Sequence, residues 1–537
     1  MSDTSNGERG LVARRRRLWN GAPTSAPTLA ALLQRAAQET PDRVLAAEGD
    51  RKLDCRTLHA QAAALAQSML ARAPPGSVVS FMLPNWSEAA TIYLAATMAG
   101  MIAHPILPSL REHDLAFALQ DSDSRFIFIP AQFRKHDYAA MLSQVVAKLA
   151  NPPIVVVVRG AAGPHTPFDA LLQGDPTQSL PVVDADDVRM LMYTSGTTGR
   201  PKGVLHSHNS LHALVRQIGD HWLVEPGDCF LVASPISHIG GSIYAFECPL
   251  ILGATAILME SWDADEAVRL AQTQRWTHMA GATPFLAHLL AAARKAKTRL
   301  PDLKVFICGG ASAPPSLIRD ARSYFERARV SRVYGSTEVP VSTVGSLGAE
   351  ETDMAAETDG RAGIAEIKLA AHPAAPPGEG EICVRGPQML TGYLHPEDEK
   401  GAFDDEGFFR MGDLGRWDYG DRLVITGRAK DIIIRNGENI APKEVEDILI
   451  HHPAIAEIAI VGLPDPRTGE RACAVIVPTA NSAPDVALLR DYLAAQGVAK
   501  CKIPQQVVLR DTLPRNDAGK ILKDRLRAAI LADSEKV

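Results

Sequence analysis

Short β-rich runs alternate with longer helical patterns from about residue 28 to residue 345. For example, the apolar runs SVVSFML (77–83) and RFIFIP (125–130) flank the helical pattern SEAATIYLAATMAGM (87–101). This alternation is typical of parallel strands joined by crossover helices. Further strands are expected at PIVVVV (153–158) and RVYGS (332–336), and a helix is expected at TPFLAHLLAAARKA (283–296). The sequence therefore predicts a large α/β region of doubly wound subdomains, in which the strand ends lead into loops of small residues.

The pattern changes in the last third of the chain. Between about 346 and 427, short strands and Gly/Pro turns dominate, as in PPGEGEICVRGP (376–387), which is typical of a small β-subdomain. A new unit of strands and helices begins after Gly427. Because 537 residues are too many for one compact core, we expect two domains. These are a large N-terminal domain over 1–429 and a small α+β C-terminal domain over 430–537.

The composition excludes several classes of partner. The formal net charge is −6 and the basic residues are dispersed except at Arg14–Arg17, so the sequence predicts no nucleic-acid partner. It also contains no uninterrupted apolar stretch of about 18 residues, which predicts no membrane span. The arginine run follows a polar start and precedes no signal-like apolar segment. We therefore expect a solvated arm there and a cytoplasmic protein.

Cysteine and histidine spacing indicates neither a disulfide framework nor a resident metal. The seven cysteines are scattered and form no CxxC pair, so we expect reduced thiols. The pairs His206/His208 and His451/His452 lack the HExxH or carboxylate spacing of a metal site. Any metal ion is therefore expected to arrive with a nucleotide.

The stretch YTSGTTGRPKGV, from Tyr193 to Val204, predicts a polyphosphate ligand. It follows the apolar run RMLMYT, and its glycines let the backbone approach an anion closely. Hydroxyls, amides and one lysine can then bind phosphate. It is not a Walker loop, because Gly203 rather than Ser or Thr follows Lys202. The residues expected to bind phosphate are Thr194, Ser195, Gly196, Thr197, Thr198, Gly199 and Lys202.

This stretch resembles the phosphate-loop motif of the adenylate-forming superfamily, which contains acyl-CoA synthetases, amino-acid adenylation domains and firefly luciferase. Other motifs similar to those of that family recur in the family's order along nearly the whole chain. They lie at 193–204, 234–241, 334–338, 409–415, 427–444 and 514–520. The resemblance implies a luciferase-like fold with a mobile C-terminal domain, and it implies ATP, Mg²⁺ and coenzyme A as cofactors or substrates.

Two segments resemble the adenine and magnesium sites of the family. In YGSTE the resemblance implies that Tyr334 stacks on the purine, that Thr337 reaches the α-phosphate and that Glu338 ligates Mg²⁺. A hard cation of this kind prefers carboxylate oxygens. The turn CGGASAP (308–314) resembles the opposite wall of the adenine and acyl site. The other nucleotide-binding residues implied by these segments are Gly309, Gly310, Ala311, Gly335 and Ser336.

Three charged residues resemble the ribose and catalytic positions. Asp413 in FFRMGDLG is similar to the carboxylate that accepts both ribose hydroxyls, and Arg428 in TGRAKD to its ribose or phosphate partner. Lys520 in LPRNDAGK resembles the lysine that bridges the acyl carboxylate and the α-phosphate, where its charge stabilises the five-coordinate phosphorus. The catalytic residues implied by the resemblance are Lys520, His238, Thr194 and Lys202.

The segment IIIRNGENIAPKEVED (432–447) resembles the loop that forms the thiol tunnel after the C-terminal domain has turned. Gly437 would line the pantetheine path, because any side chain there would obstruct it. Arg435 and Lys443 are further implied CoA-binding residues, and Lys430 stands at the hinge position of the family. One small domain would therefore serve both half-reactions.

The segment SPISHIGG (234–241) resembles the substrate gate, with a histidine near the acyl carboxylate and the thiol entrance. Ser237 stands where an aromatic residue is more common, and Asn516, near the catalytic lysine, stands where Thr is more common. The acyl pocket implied by the resemblance consists of His238, Gly241, Ser242, Gly309 and Val339.

The sequence is thus identified as a member of the AMP-forming acyl-CoA synthetases, in which a carboxylic acid attacks the α-phosphate of Mg·ATP and coenzyme A captures the acyl-adenylate. The gate lacks the Asp that binds the ammonium group in amino-acid adenylation domains, so we expect an uncharged acyl tail. VYGSTE lacks the tryptophan of acetate-specific relatives, which implies a larger pocket. The resemblance is closest to ligases of medium-chain, alicyclic or aromatic acids, including cyclohexanecarboxylate-type enzymes.

Four alternatives stay open from the sequence. A ligase that loads a phosphopantetheinyl carrier protein would share every motif, and only the acyl acceptor would distinguish it. An enzyme with the same residues could also perform only the thioester-forming half-reaction. A luciferase-like oxygenase would consume oxygen, and a non-catalytic nucleotide-binding regulator would bind ATP without turnover.

Overall fold

The computed structural model confirms the expected α/β class. Two large, mainly parallel sheets precede a small antiparallel sheet and a separate C-terminal sheet. The residues that the structure describes are 26–194, 200–310, 313–373, 375–435, 438–480, 482–516 and 519–534.

An eight-stranded sheet contains the predicted phosphate stretch at one end. From edge to edge its strands are Gly392–Tyr393, Lys202–Ser207, Val188–Thr194, Ile102–Pro105, Val78–Phe81, Ser124–Pro130, Ile154–Val158 and Thr166–Pro167. The first three strands pair antiparallel, and the other neighbours are parallel. Val188–Thr194 and Lys202–Ser207 are therefore the two arms of a hairpin, and the phosphate stretch connects them.

A seven-stranded sheet stands beside the first. From edge to edge its strands are Arg329–Arg332, Val305–Cys308, His278–Gly281, Cys229–Val232, Thr255–Leu258, Val44–Glu48 and Arg51–Asp54. All neighbours are parallel except the final pair, which forms a hairpin. A small separate hairpin is formed by Gln132–Phe133 and His136–Asp137.

Helices fill the space between and around these sheets. Ser87–Met98 is buried along its whole length in a core that both sheets share, and its many small residues permit this close packing. Capping follows the sequence, since Asp54 accepts a hydrogen bond from the amide of Thr57 at the start of Cys55–Leu70. The helices are Leu29–Glu39, Cys55–Leu70, Ser87–Met98, Glu112–Asp121, Tyr138–Val146, Phe168–Leu171, His208–His221, Ile239–Ser242, Cys248–Leu252, Ala264–Gln274, Thr283–Lys295, Pro315–Tyr324 and Thr352–Glu357, with a π-helical turn at Ile243–Glu247.

The expected β-subdomain is a four-stranded antiparallel sheet. Its strands are Glu366–Ala370, Gly380–Arg385, Phe409–Asp418 and Arg422–Arg428, and a 3₁₀ turn at Pro396–Glu399 lies within its long connection. That same connection sends Gly392–Tyr393 back to the edge of the eight-stranded sheet. The subdomain is therefore tied to the phosphate hairpin by backbone pairing.

The C-terminal unit has its own sheet and its own apolar core. Its strands are Ile433–Arg435, Glu438–Ile440, Ile455–Asp465, Gly469–Pro478 and Gln506–Leu509, its helices are Pro442–Leu449, Val486–Ala495 and Lys523–Ser534, and its 3₁₀ turns are Ala429–Asp431 and Lys500–Lys502. The domain boundary predicted at Lys430 falls in the first of these turns, between the two sheets. Among the helices that the structure describes, none combines the length and apolar character that a bilayer crossing requires.

One predicted strand is misplaced. The pattern RVYGS (332–336) predicted a strand, but the observed strand Arg329–Arg332 ends at the first residue of that pattern. The amide of Tyr334 instead donates to the side chain of Thr343 at 2.7 Å. A Cβ at Gly335 would lie 2.6 Å from the backbone nitrogen of Val341, so the chain turns back closely on itself here. The YGSTE segment is therefore a loop.

Candidate active site

The phosphate hairpin brings two predicted catalytic residues together at its open end. Thr194 and Lys202 are paired across the two arms of the hairpin. The Nζ of Lys202 donates to the carbonyl oxygen of Asp398 at 3.2 Å and lies 5.2 Å from the centre of the Tyr393 ring. The other predicted phosphate residues, Ser195, Gly196, Thr197, Thr198 and Gly199, lie outside the described residues.

Gly203 permits close packing behind this hairpin. A Cβ there would lie 2.9 Å from atoms of both Leu191 and Leu394, and the amide of Leu394 donates to the Gly203 carbonyl at 2.7 Å. Only glycine avoids this overlap. The segment that follows Tyr393 is therefore pressed directly against the lysine arm of the hairpin.

Side chains from the eight-stranded sheet hold the loop of Thr337 and Glu338. The Nε2 of His206 lies 2.7 Å from the Thr337 carbonyl oxygen, and burial lowers the pKa of His206 to about 4. The ring is therefore neutral at pH 7 and its Nε2–H donates. The hydroxyl of Tyr393 donates to Glu338 Oε1 at 3.1 Å, and the Thr194 hydroxyl lies 3.5 Å from the same oxygen.

The predicted adenine and ribose residues form one connected group. The Tyr334 hydroxyl donates to Asp413 Oδ2 at 2.7 Å, and burial raises the pKa of this tyrosine, so it stays a donor. Asp413 and Arg428 face each other across adjacent strands, with Arg428 Nε 3.0 Å from Asp413 Oδ1. Ser336 accepts a hydrogen bond from the amide of Val339 and thereby supports the loop.

The structure places Lys520 where the charges of this ribose pair act on it. Burial and the positive charge of Arg428 together lower the pKa of Lys520 to about 8, while Asp413 acts in the opposite direction. Asn516 accepts from the Lys520 amide at 2.8 Å, so the replacement of the commoner Thr keeps a local hydrogen bond. A Cβ at Gly519 would lie 3.4 Å from that of Ala282, so the lysine turn contacts the N-terminal domain.

The predicted acyl wall is built on tight glycine turns. A Cβ at Gly241 would lie 2.0 Å from the Pro235 carbonyl oxygen, which excludes any side chain there. His238 immediately precedes the short helix Ile239–Ser242, in which Ser242 is fully buried. The amide of Gly309 donates to the Gly281 carbonyl, and Gly310 has a φ of +77°. Val339 lies in the apolar core beside the hairpin, and Ala311 lies outside the described residues.

The predicted CoA and hinge residues make local contacts. Arg435 donates to the Cys501 carbonyl at 2.9 Å, and Lys443 is paired with Asp447 one helical turn later. Lys430 lies 3.7 Å from Asp524. Gly437 lies outside the described residues. Roles in thiol binding and hinge motion for these residues stay predictions.

Two family profiles match the chain. The AMP-binding enzyme family matches residues 33–394, and the AMP-binding enzyme C-terminal domain matches residues 444–520. The chain belongs to the AMP-binding enzyme family. The membership inferred from the motifs is thereby confirmed, and the adenylate-forming fold is as expected.

Relatives of this AMP-binding enzyme include a CoA ligase and a CoA synthase. It is 34% identical to a medium-chain fatty-acid–CoA ligase from Escherichia coli (strain K12), over 98% of this chain and 94% of the relative. It is 31% identical to a feruloyl-CoA synthase from Amycolatopsis sp, over 92% and 97% of the two chains. It resembles the structure of ATP-bound MatB from Rhodopseudomonas palustris, with a TM-score of 0.82, 28% identity and coverage of 93% and 98%.

The AMP-binding enzyme has donors that fit a cation delivered with ATP. Among the described residues, no group of three or more His, Cys, Asp or Glu side chains could hold a metal ion. Glu338 and the nearby Thr194 hydroxyl nevertheless supply oxygen donors of the kind that Mg²⁺ prefers, and Mg²⁺ commonly takes its remaining ligands from water and substrate phosphates. The residues present therefore fit a cation that arrives with the nucleotide.

Sequence reasoning did not find His206 and Tyr393. In the sequence His206 stands out only beside His208, whereas the structure places it on a strand opposite Met190. Tyr393 is separated from Glu338 by 55 positions, and no local pattern connects them. Both became visible only through the pairing of strands at the edge of the eight-stranded sheet.

The pKa of Lys520 predicts the pH dependence of the first half-reaction. If Lys520 is the catalytic lysine that the motif predicts, it must be protonated to stabilise developing charge on the phosphate, and kcat/KM for ATP should fall as pH rises through about 8. The corresponding fall in kcat should occur at higher pH, because bound phosphates favour the charged lysine. Initial rates of pyrophosphate exchange between pH 6.5 and 9.5 measure both falls. Lys520→Arg should abolish the fall in kcat/KM near pH 8. If that fall persisted in the variant, it would contradict the assignment.

Proposed function

We propose that this enzyme activates an uncharged, medium-sized carboxylic acid as its acyl-adenylate and transfers the acyl group to the thiol of coenzyme A. The observation that carries the proposal is the placement of the Lys520 turn against the N-terminal domain, where a Cβ at Gly519 would lie 3.4 Å from that of Ala282. The charges of the Asp413–Arg428 pair act on the lysine in this position. This arrangement supports the adenylation half-reaction.

In this mechanism the chain mainly positions anions. Asp413 accepts the ribose hydroxyls, and Arg428 and Lys202 offset the charge of the phosphates. Lys520 lies between the acid and the α-phosphate and stabilises the charge that develops there as pyrophosphate leaves. Mg²⁺, bound through Glu338, would neutralise part of the phosphate charge. No enzyme side chain forms a covalent bond with the acid.

The acid class is supported by the gate and by the relatives. No acidic residue occurs in SPISHIGG, so no charge is offered to a substrate ammonium. A medium-chain fatty-acid ligase and a feruloyl-CoA synthase are both among the relatives. We therefore propose a medium-chain, alicyclic or aromatic acid as substrate. All seven cysteines are free thiols, which fits action in the reducing cytoplasm.

A carrier protein is the second candidate acceptor, because its phosphopantetheine arm presents the same thiol as coenzyme A. The names of the two relatives above favour coenzyme A, since both names specify a CoA thioester or its ligation. Direct comparison of free CoA with a holo-carrier protein as acceptor separates the two reactions.

Pyrophosphate exchange with a panel of acids tests the proposal. The panel contains acetate, octanoate, cyclohexanecarboxylate, ferulate and phenylalanine, each measured with and without CoA. We expect exchange with at least one of the middle three acids and formation of its CoA thioester, and little exchange with acetate or the amino acid. Exchange confined to acetate or phenylalanine would contradict the acid class. Absence of exchange with every acid, together with thioester formation from supplied acyl-adenylate, would support the half-reaction alternative.

A further inference from the structure

We propose that Tyr393 is a positioning residue that aligns the metal-binding carboxylate and the phosphate-binding lysine of the ATP site. This inference deepens the proposed function and rests on its assignment of Glu338 and Lys202. Tyr393 comes from the connection of the β-subdomain, yet its strand Gly392–Tyr393 is the edge strand of the sheet that bears the phosphate hairpin. It therefore reaches the ATP site from a separate subdomain.

The hydroxyl of Tyr393 orients Glu338. It donates to Oε1 at 3.1 Å, and the Thr194 hydroxyl approaches the same oxygen at 3.5 Å. Both donors reach Oε1, so Oε2 is the oxygen that can face a cation. The carboxylate oxygen can only accept a hydrogen bond, so the phenol O–H is the donor in this contact.

The ring of Tyr393 orients Lys202. The Nζ of Lys202 lies 5.2 Å from the ring centre, within the range of a cation–π interaction, and also donates to the carbonyl oxygen of Asp398. These two contacts limit the ammonium group to one region beside the ring. One buried side chain thus contacts both charges that the proposed function assigns to the triphosphate and its cation.

The backbone makes this placement rigid. Tyr393 pairs with Val204 on the lysine arm, and the amides of Thr391 and Leu394 donate to that arm at 2.8 and 2.7 Å. The tyrosine is 4% exposed, so its ring cannot turn away without repacking the core. The Tyr393 side chain therefore has a fixed position, and its contacts position the charged groups of Glu338 and Lys202.

Replacing Tyr393 with phenylalanine isolates the hydroxyl, because the ring beside Lys202 is kept. The measured quantity is the factor by which Mg²⁺ raises the affinity for ATP. We expect this factor to be about tenfold smaller in Tyr393→Phe than in the wild-type protein, because one hydrogen bond to a charged group is lost. The affinity for ATP in EDTA should stay unchanged. Calorimetric titration of ATP with and without Mg²⁺ measures both quantities without requiring turnover. Tyr393→Leu removes the ring as well and should also weaken ATP binding in EDTA.

Tyr138→Phe is the matched control, because that hydroxyl donates to the Pro108 carbonyl at 2.7 Å and contacts no predicted site residue. It should leave both affinities unchanged.

The proposal is overturned if Tyr393→Phe keeps the wild-type gain in ATP affinity from Mg²⁺. It is also overturned if ATP binding falls equally with and without Mg²⁺, as a general structural role would predict. If the wild-type protein binds Mg·ATP but supports exchange with no acid, the proposed function fails while the assignment of Tyr393 stands. Failure of the wild-type protein to bind ATP would overturn both.

Discussion

Lys520→Ala is expected to reduce acid-dependent pyrophosphate exchange by a factor on the order of 10²–10³, the usual loss when one charge-stabilising donor is removed from a transition state. Lys520 carries the positive charge that the C-terminal domain brings to the Asp413–Arg428 pair. Thioester formation from supplied acyl-adenylate should stay close to the wild-type rate, because the phosphate bond has already been broken. Separate assays of the two half-reactions measure the difference.

Two further variants complete this test. Lys523→Ala removes a lysine three positions later, whose Nζ is paired with Glu446 at 2.6 Å, and should leave exchange unchanged. Gly437→Trp should show the opposite pattern to Lys520→Ala, with thioester formation reduced and exchange retained, if Gly437 lines the thiol path. Equal losses in both assays for Lys520→Ala and Gly437→Trp would refute the assignment of one domain to two half-reactions.

Glu247→Ala should cause the largest loss of stability. Arg189 and Glu247 form a bidentate ion pair with N–O distances of 2.5 and 2.7 Å, and their side chains are 3% and 0% exposed. The Tyr93 hydroxyl also contacts Glu247. Removal of the carboxylate leaves a buried, unpaired guanidinium, which should lower the free energy of unfolding by about 3–5 kcal/mol. Urea titration followed by near-UV circular dichroism measures this change.

The Arg189–Glu247 pair connects the phosphate hairpin to the predicted acyl wall. Arg189 lies on the first arm of the hairpin, and Glu247 lies on the π-helical turn that follows Ser242. The double variant Arg189→Met/Glu247→Leu should be much less destabilised than Glu247→Ala, because no buried charge is left unpaired. Glu266→Ala, in an exposed pair with Arg269, should change stability by less than about 1 kcal/mol. A small effect of Glu247→Ala would mean that water or another group satisfies Arg189.

The sequence predicted most elements and many site residues, because their signals are local. The expected strand at PIVVVV is observed as Ile154–Val158, and the expected helix at TPFLAHLLAAARKA as Thr283–Lys295. Apolar periodicity and helix-starting residues act over a few positions, so they can be read without the fold. The predicted strand at RVYGS extends past the observed strand because a β-branched and an aromatic residue there favour a strand locally. The tertiary contacts of Tyr334 and Gly335 overrode that preference.

By itself the sequence determined the family, the α/β class and the residue types that an adenylate-forming site requires, because glycines, hydroxyls and single charges at set spacings specify loops and ligands locally. Only the tertiary structure decided which groups hold those residues in place. Tyr393 contacts Glu338 because of the strand order, and the turn of Lys520 lies against Ala282 because the two domains are in contact. Such contacts depend on how distant segments pack, and packing is a property of the whole fold rather than of any short segment.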